Sequence, residues 1–245
     1  MIMKHYHRLR GIGVSPESVS RSQFTVYVLE QLRLRILRGD VPKGTRLVER
    51  LLAEEFNVSR GPIRDAFLIL EQEGLVHALP RGGIEVVGLT GTDVSNFYAV
   101  RYNLEKMACE SILRDENNDL SDLRAVASEM ATSKNLNDIS RLDVAFHHEM
   151  VRLGHNHFLL RLWETLAPVI AGILEVTNNM WEASEVIQGH EELLATLAHR
   201  NNEVFRVLQA HLVLPEKLMK RYLNRGKLSE STTETVPLPI ARNKP

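Results

Sequence analysis

Three short amphipathic segments followed at once by two strand-like runs leave few folds open to residues 24–88. From Phe24 to about Arg38, the residues Val28, Leu29, Leu32, Ile36 and Leu37 recur on one side of a helical period. Gly39-Asp40 and the turn Pro42-Lys43-Gly44 end that segment. A second helix is expected from about Val48 to Phe56, with Leu51, Leu52 and Phe56 inward, broken by Asn57-Val58. Ser59 then stands where a residue caps a third helix, which runs to about Glu73 and is stopped by Gly74. Pro62 falls in its first turn, where a missing N–H costs least. Leu75–Leu79 and Ile84–Val87 read as two strands around Pro80-Arg81-Gly82-Gly83. Three helices and a hairpin in so short a span is the plan of a winged helix-turn-helix domain.

Such a domain binds DNA by placing its recognition helix in the major groove, with residues near the helix start reaching bases or phosphates. In VSRGPIRDAFLILEQEGLV (58–76), Arg60 and Arg64 are four apart and share a helical face. The planar guanidinium donates two hydrogen bonds to guanine, and the helix N-terminus adds backbone donors for a phosphate. Ser59 can touch the backbone, Arg50 on the preceding helix can add a contact, and Arg81-Gly82-Gly83 can approach a groove closely. The alternative is that Arg50, Arg60 and Arg64 simply pair with Asp65, Glu54 and similar neighbours.

The charge distribution agrees with a nucleic-acid contact at one end. The net charge is −1, yet residues 1–88 hold 13 Lys+Arg against 10 Asp+Glu, and the remainder holds 17 against 21. A mildly basic head on an acidic body is the distribution of a small DNA-binding module joined to something else. The single cysteine, Cys109, excludes an intramolecular disulfide and fits a reducing cytoplasm. The N-terminus lacks a signal-like apolar stretch, and no run of about 18 apolar residues suggests a membrane span.

After Gly88–Gly91 the pattern is helical, with segments near 92–115, 119–134, 139–153, 157–180, 184–199 and 201–224. The reading is a mainly α chain: a flexible arm (1–20), a winged helix-turn-helix domain (21–88), an antiparallel helical bundle (92–226), and a disordered tail (227–245). Within the bundle, Asp143 and His147 are spaced i, i+4, and His190 and His211 lie on separate helices. Ligands from facing helices can converge on a metal in such a core, although an Asp-x-x-x-His pair is also a common surface ion pair. Three imidazoles and a carboxylate suit zinc, nickel, iron or manganese without choosing among them.

The stretches GDVPKGTRL, LAEEFNVSRGPIRDAF, LEQEGLV and PRGG within 39–88 resemble the DNA-binding domain of the GntR family of bacterial regulators. VRYNLEKMAC (100–109), DVAFH (143–147), GHEELLATL (189–197) and AHL (210–212) resemble that family's FadR-type C-terminal (FCD) domain, so the likeness covers roughly residues 24–222. Six segments after the linker suggest the shorter VanR-like bundle over the seven-helix version. The resemblance implies that Arg50, Arg60 and Arg64 contact DNA, and that Gly82 is the wing glycine beside Arg81. It implies a divalent metal on Asp143, His147, His190 and His211. It also implies that Arg101, four residues before Glu105, faces the bundle cavity and receives an effector carboxylate; a surface ion pair is the alternative.

The function expected is a cytoplasmic, homodimeric, DNA-binding repressor controlled by a small organic acid at the metal site. A palindromic operator would present two half-sites about 34 Å apart. The alternatives are a regulator that senses the metal itself and a metal-dependent hydrolase, although HExxH and an obvious general base are both missing.

Overall fold

The computed structural model describes residues 21–226, so the expected arm at 1–20 and tail at 227–245 lie outside the described residues. Helix α1 (Arg21–Arg38) comes first, followed by strand β1 (Arg46–Leu47), α2 (Glu49–Glu55) and α3 (Arg60–Gln72). Strands β2 (Val76–Ala78) and β3 (Ile84–Val86) complete the head. Six helices follow: α4 (Gly91–Arg114), α5 (Ser121–Thr132), α6 (Leu136–Arg152), α7 (His157–Thr177), α8 (Ala183–Ala198) and α9 (Val204–Gly226).

In the head, Val28, Leu32, Ile36 and Leu37 of α1 are buried, as their spacing requires, and close over Ile63, Phe67 and Leu70 of α3. The sheet has the order β1-β3-β2, with both pairings antiparallel. Val76 stands opposite Val86 and Leu47 opposite Ile84, which puts one apolar face on the helices. β1 was not foreseen, because a two-residue strand has too little length to show an alternation. Another unforeseen contact locks α1 to the end of α3: Arg33 holds Glu73 through two hydrogen bonds of 2.8 and 2.6 Å, both side chains being almost wholly buried.

The capping box of α4 fixes where the bundle begins. The Thr90 hydroxyl accepts from the Asp93 backbone N–H, and the Asp93 carboxylate accepts from the Thr90 N–H at 2.8 Å. α4 packs on α6, α7 and α9, and α6 in turn packs on α5, α7 and α8, so α4, α6, α8 and α9 surround one polar centre. Head and bundle also meet directly. α1 lies on α7, where Gly172 leaves room for Leu37; a Cβ at Gly172 would collide with the Leu37 Cδ1.

Candidate nucleic-acid interface and metal centre

Ser59 occupies the N-cap position of α3 with extended backbone angles, but its hydroxyl makes no capping bond. Position and capping thus separate here, and the exposed hydroxyl stays available at the helix start. Arg50, Arg60, Arg64, Arg81 and Gly82 are all exposed on the head. Arg64 Nε lies 2.7 Å from Glu49 Oε2, and Arg50 Nη1 lies 2.7 Å from Glu54 Oε1. The Asp65 carboxylate, in contrast, takes two hydrogen bonds from Arg21. Ion pairs this exposed are worth about 0–1 kcal/mol, so phosphate or guanine can displace the carboxylates at little cost. Arg60 and Arg81 show no ion pair among the described residues.

The wing tip depends on glycine. Gly82 and Gly83 take φ of +80° and +102°, and the turn is closed by Leu79 N–H to the Gly83 carbonyl and Gly82 N–H to the Leu79 carbonyl, both at 2.9 Å. Arg46 on β1, which the sequence reading passed over, donates to the Gly82 carbonyl at 2.8 Å and braces the tip. A Cβ at Gly83 would come within 2.7 Å of that guanidinium, a second reason for glycine there. The sequence signal for Arg46 was its place directly after Gly44-Thr45, which means nothing until β1 is seen beside β3.

In the bundle, Asp143 and His147 come from α6, His190 from α8 and His211 from α9. One ligand atom from each can be chosen so that all four lie within 4.8 Å of one another. His190 Nδ1 lies 2.7 Å from the Val186 carbonyl, which takes its proton and leaves Nε2 as a lone-pair donor 3.5 Å from Asp143 Oδ2. His147 Nδ1 lies 2.9 Å from Glu105 Oε2, off the ideal hydrogen-bond direction, while its Nε2 stands 3.0 Å from His211 Nε2. Gly189 makes space for the His211 ring, since a Cβ there would sit 2.8 Å from Nδ1.

Electrostatics keep these ligands ready for a cation. Burial pushes the His190 pKa down to about 4, against the pull of Asp143, and burial followed by the nearby His190 and His147 holds His211 well below its ordinary value. Both rings are therefore neutral near pH 7. Burial raises the Glu105 pKa, but Arg101 and His147 outweigh it and bring the value to about 2. Glu105 Oε1 also accepts from Arg101 Nε at 2.7 Å and from Trp163 Nε1 at 2.9 Å. The sequence reading saw only the i, i+4 partner of Glu105; the contacts to His147 and Trp163 come from other helices.

The residues fit a divalent ion on this structure's own terms. His190 Nε2 and Asp143 Oδ1 are buried side-chain atoms with no hydrogen-bond partner, a combination that costs free energy unless something else satisfies them. A cavity of about 260 Å³ opens on Asp143 and His211 between α8 and α9, walled by Leu174, Trp181, Val186, Val207, Leu214 and Leu218. Glu185, Glu192 and Arg206 also line it, and all three are exposed. Arg101 does not line this cavity. It is 1% exposed, and its Nη2 has no hydrogen-bond partner and lies 4.0 Å from Asp143 Oδ1. The Arg101–Glu105 pair is consequently a core pair and not a surface one.

Comparison with known proteins follows the same division of the chain. The family model described as bacterial regulatory proteins, gntR family, matches residues 25–86, and that of the FCD domain matches residues 96–213. The gluconate operon transcriptional repressor of Bacillus licheniformis is 36% identical over 76% of this chain and 80% of its own length. The HTH-type transcriptional regulator YdhC of Bacillus subtilis is 30% identical over 83% of this chain and 95% of its own. The structure of McbR/YncC from E. coli superposes with a TM-score of 0.60 at 21% identity, covering 84% of this chain and all of that one, and shares its fold. These proteins are regulators rather than enzymes, so nothing in them supports a hydrolase at the His/Asp cluster.

Proposed function

Since the chain belongs to the GntR family of bacterial regulatory proteins and is a DNA-binding transcription regulator with an FCD domain, we propose that it is a repressor under the control of a small carboxylate. The carboxylate binds beside a divalent metal in the bundle and thereby sets the head's affinity for operator DNA. The observation that carries this reading is the convergence of Asp143, His147, His190 and His211 in the core, with Asp143 and His211 lining an open cavity. These four would hold the ion, and a bound divalent cation supplies a Lewis-acidic centre for carboxylate oxygens. The Nη2 of Arg101, buried without a hydrogen-bond partner 4.0 Å from Asp143 Oδ1, does not line the cavity but supplies positive charge behind its inner end that favours the same anion. The cavity favours an organic effector over the ion alone as the signal, because an ion sensor needs no space of 260 Å³ beside its ligands. Six bundle helices support the shorter, VanR-like form.

On the DNA side, Arg60 and Arg64 enter the major groove with Ser59 at the helix start. Arg50 reaches the adjoining backbone, and Arg81 and Gly82 of the wing enter the neighbouring groove. The chain acts in the cytoplasm as a homodimer on a two-fold operator. No helix among the described residues is long and apolar enough to cross a membrane. The two Bacillus gluconate operon repressors make sugar acids the first effectors to try. The test is operator binding against a panel of small carboxylic acids, for wild type and Arg101→Lys side by side. The variant keeps a charge beside Glu105 but loses the planar fork, so it retains DNA binding and responds at least about tenfold less sensitively. Identical responses would remove Arg101 from the effector site.

A further inference from the structure

The cavity beside the metal residues has walls that select what can fill it. Leu174 of α7, Trp181 of the α7–α8 connection, Val186 of α8, and Val207, Leu214 and Leu218 of α9 form most of its lining. Among the described residues, no hydroxyl or carboxamide side chain lines it. Asp143 and His211 also line it, and they are two of the four residues that would hold the ion. The other charged groups are exposed: Glu185 and Glu192 on α8, and Arg206 on α9, whose guanidinium is already paired with Glu203. The lining thus offers a cation-binding end, apolar walls, and an exposed rim with more negative than positive charge.

Each of these features disfavours a class of acid. A sugar acid carries a hydroxyl on almost every carbon, and a hydroxyl moved from water to an apolar wall without a partner costs free energy. Trp181 is the partial exception in the wall, because its Nε1 is buried without a hydrogen-bond partner. One neutral oxygen on the acid would satisfy it, and a row of hydroxyls would find no second such group along the walls. A dicarboxylate would set its second anion against apolar side chains or beside Glu185 and Glu192. An apolar body, in contrast, gains about fourfold in affinity for each methylene it buries. Size sets the remaining bound. A protein cavity of about 150 Å³ admits benzene, so one of about 260 Å³ holds an acid of roughly six to eight carbons.

We infer that the effector is a small monocarboxylate with an apolar body, its carboxylate at the Asp143–His211 end and its body packed along Trp181 and the walls from α8 and α9. The inference rests on the carboxylate reading above and adds the class of acid. The likeness to the gluconate operon repressors puts sugar acids first on a panel, and the walls of this cavity put a different acid ahead of them. The flat indole of Trp181 is the largest side chain of the wall and covers such a body with little loss of side-chain freedom. The class also bears on control. Leu174 belongs to the wall, and two residues earlier on α7 Gly172 takes Leu37 of the head. A body that reaches Leu174 therefore packs on the same helix that meets the DNA-binding domain.

The experiment is isothermal titration calorimetry of the zinc-loaded full chain with butyrate, hexanoate, adipate and gluconate. Hexanoate, adipate and gluconate have the same carbon count and differ in body alone, and butyrate shortens the apolar one. Wild type is compared with Leu214→Asn, whose residue lines the cavity yet is 37% exposed, so the variant should fold; circular dichroism checks that it does. Hexanoate should bind wild type at least about tenfold more tightly than each of the other acids. Leu214→Asn should narrow the lead of hexanoate over gluconate by about threefold or more. Adipate or gluconate binding as tightly as hexanoate, or a folded variant with the wild-type preference, would overturn the apolar-body assignment and leave a carboxylate site in place. No binding by any of the four acids would overturn the carboxylate reading itself, and this inference with it.

Discussion

His147 and His211 bring their Nε2 atoms to 3.0 Å of each other across the bundle core. Because Glu105 lies beside the other nitrogen of His147, the Nε2 of that ring presents a lone pair. A proton on His211 Nε2 or a cation between the two nitrogens satisfies this contact. Asp143 and His190 complete the set around the same point.

Metal content is accordingly expected at one divalent ion per chain, and His190→Ala or His211→Ala should lower it. Chelation should lower the melting temperature of wild type, because a ligand of the folded state at about 100 times its Kd stabilises it by about 2.7 kcal/mol. Both alanine variants should melt at the chelated temperature, whether metal is present or not. Elemental analysis and thermal melts check this together. Wild type that takes up no metal on reconstitution would return the four side chains to a structural role.

In metal-free protein the same rings give stability a defined pH dependence. The folded-state pKa of His190 is held at about 4 by burial, while the unfolded chain titrates near 6.5. The unfolded state binds more protons between these values, so the contribution is complete above about 6.5 and is lost as pH falls towards 4. For His190 it is on the order of 3 kcal/mol. His211 is shifted in the same direction, so it adds to the slope. Denaturant midpoints of chelated protein between pH 7 and pH 4 measure this, and His190→Gln should flatten the curve.

Operator recognition should depend on Arg64. Its partner Glu49 is a weak, exposed competitor, so Arg64→Ala should cost about 1–3 kcal/mol of operator affinity and relax specificity at one position. Arg50→Ala should weaken binding more evenly across sequences and reduce its salt dependence. Glu49→Gln frees Arg64 and should leave affinity unchanged or improve it. Binding isotherms at two salt concentrations separate these outcomes.

The head should be sensitive to loss of one partner in the Arg33–Glu73 pair. Glu73→Ala leaves a buried guanidinium without its two hydrogen bonds and should cost about 3–5 kcal/mol. Replacing both residues together, Arg33→Met with Glu73→Leu, should cost much less, because no uncompensated charge remains. Chemical denaturation of the single and double variants gives the comparison.

What the sequence made visible, and what it hid, follows from the range of each interaction. The helix bounds were legible because local residues set them: Gly74 takes φ of +73° where α3 had to end, and Asn57 takes φ of 51° where α2 had to stop. The clustered residues Asp143, His147, His190 and His211 could be named because the family motif marks them, yet the sequence did not show that Glu105 lies behind His147. That contact links positions 42 apart and exists only once α4 and α6 pack. Arg33 and Glu73, 40 apart, were hidden for the same reason. Arg101 and Glu105 were read as an i, i+4 pair, which they are; spacing alone could not place that pair in the core.

The claim that the bundle's metal centre controls the head is tested most directly by fluorescence anisotropy of labelled operator, titrated with a carboxylate panel against metal-loaded and chelated protein. In loaded protein, at least one acid should change operator affinity by about 5–150-fold, the usual range of coupling between two sites. Chelated protein should bind operator and show no response to that acid. A response of equal size in the two preparations, or none to any acid in loaded protein, would contradict the account.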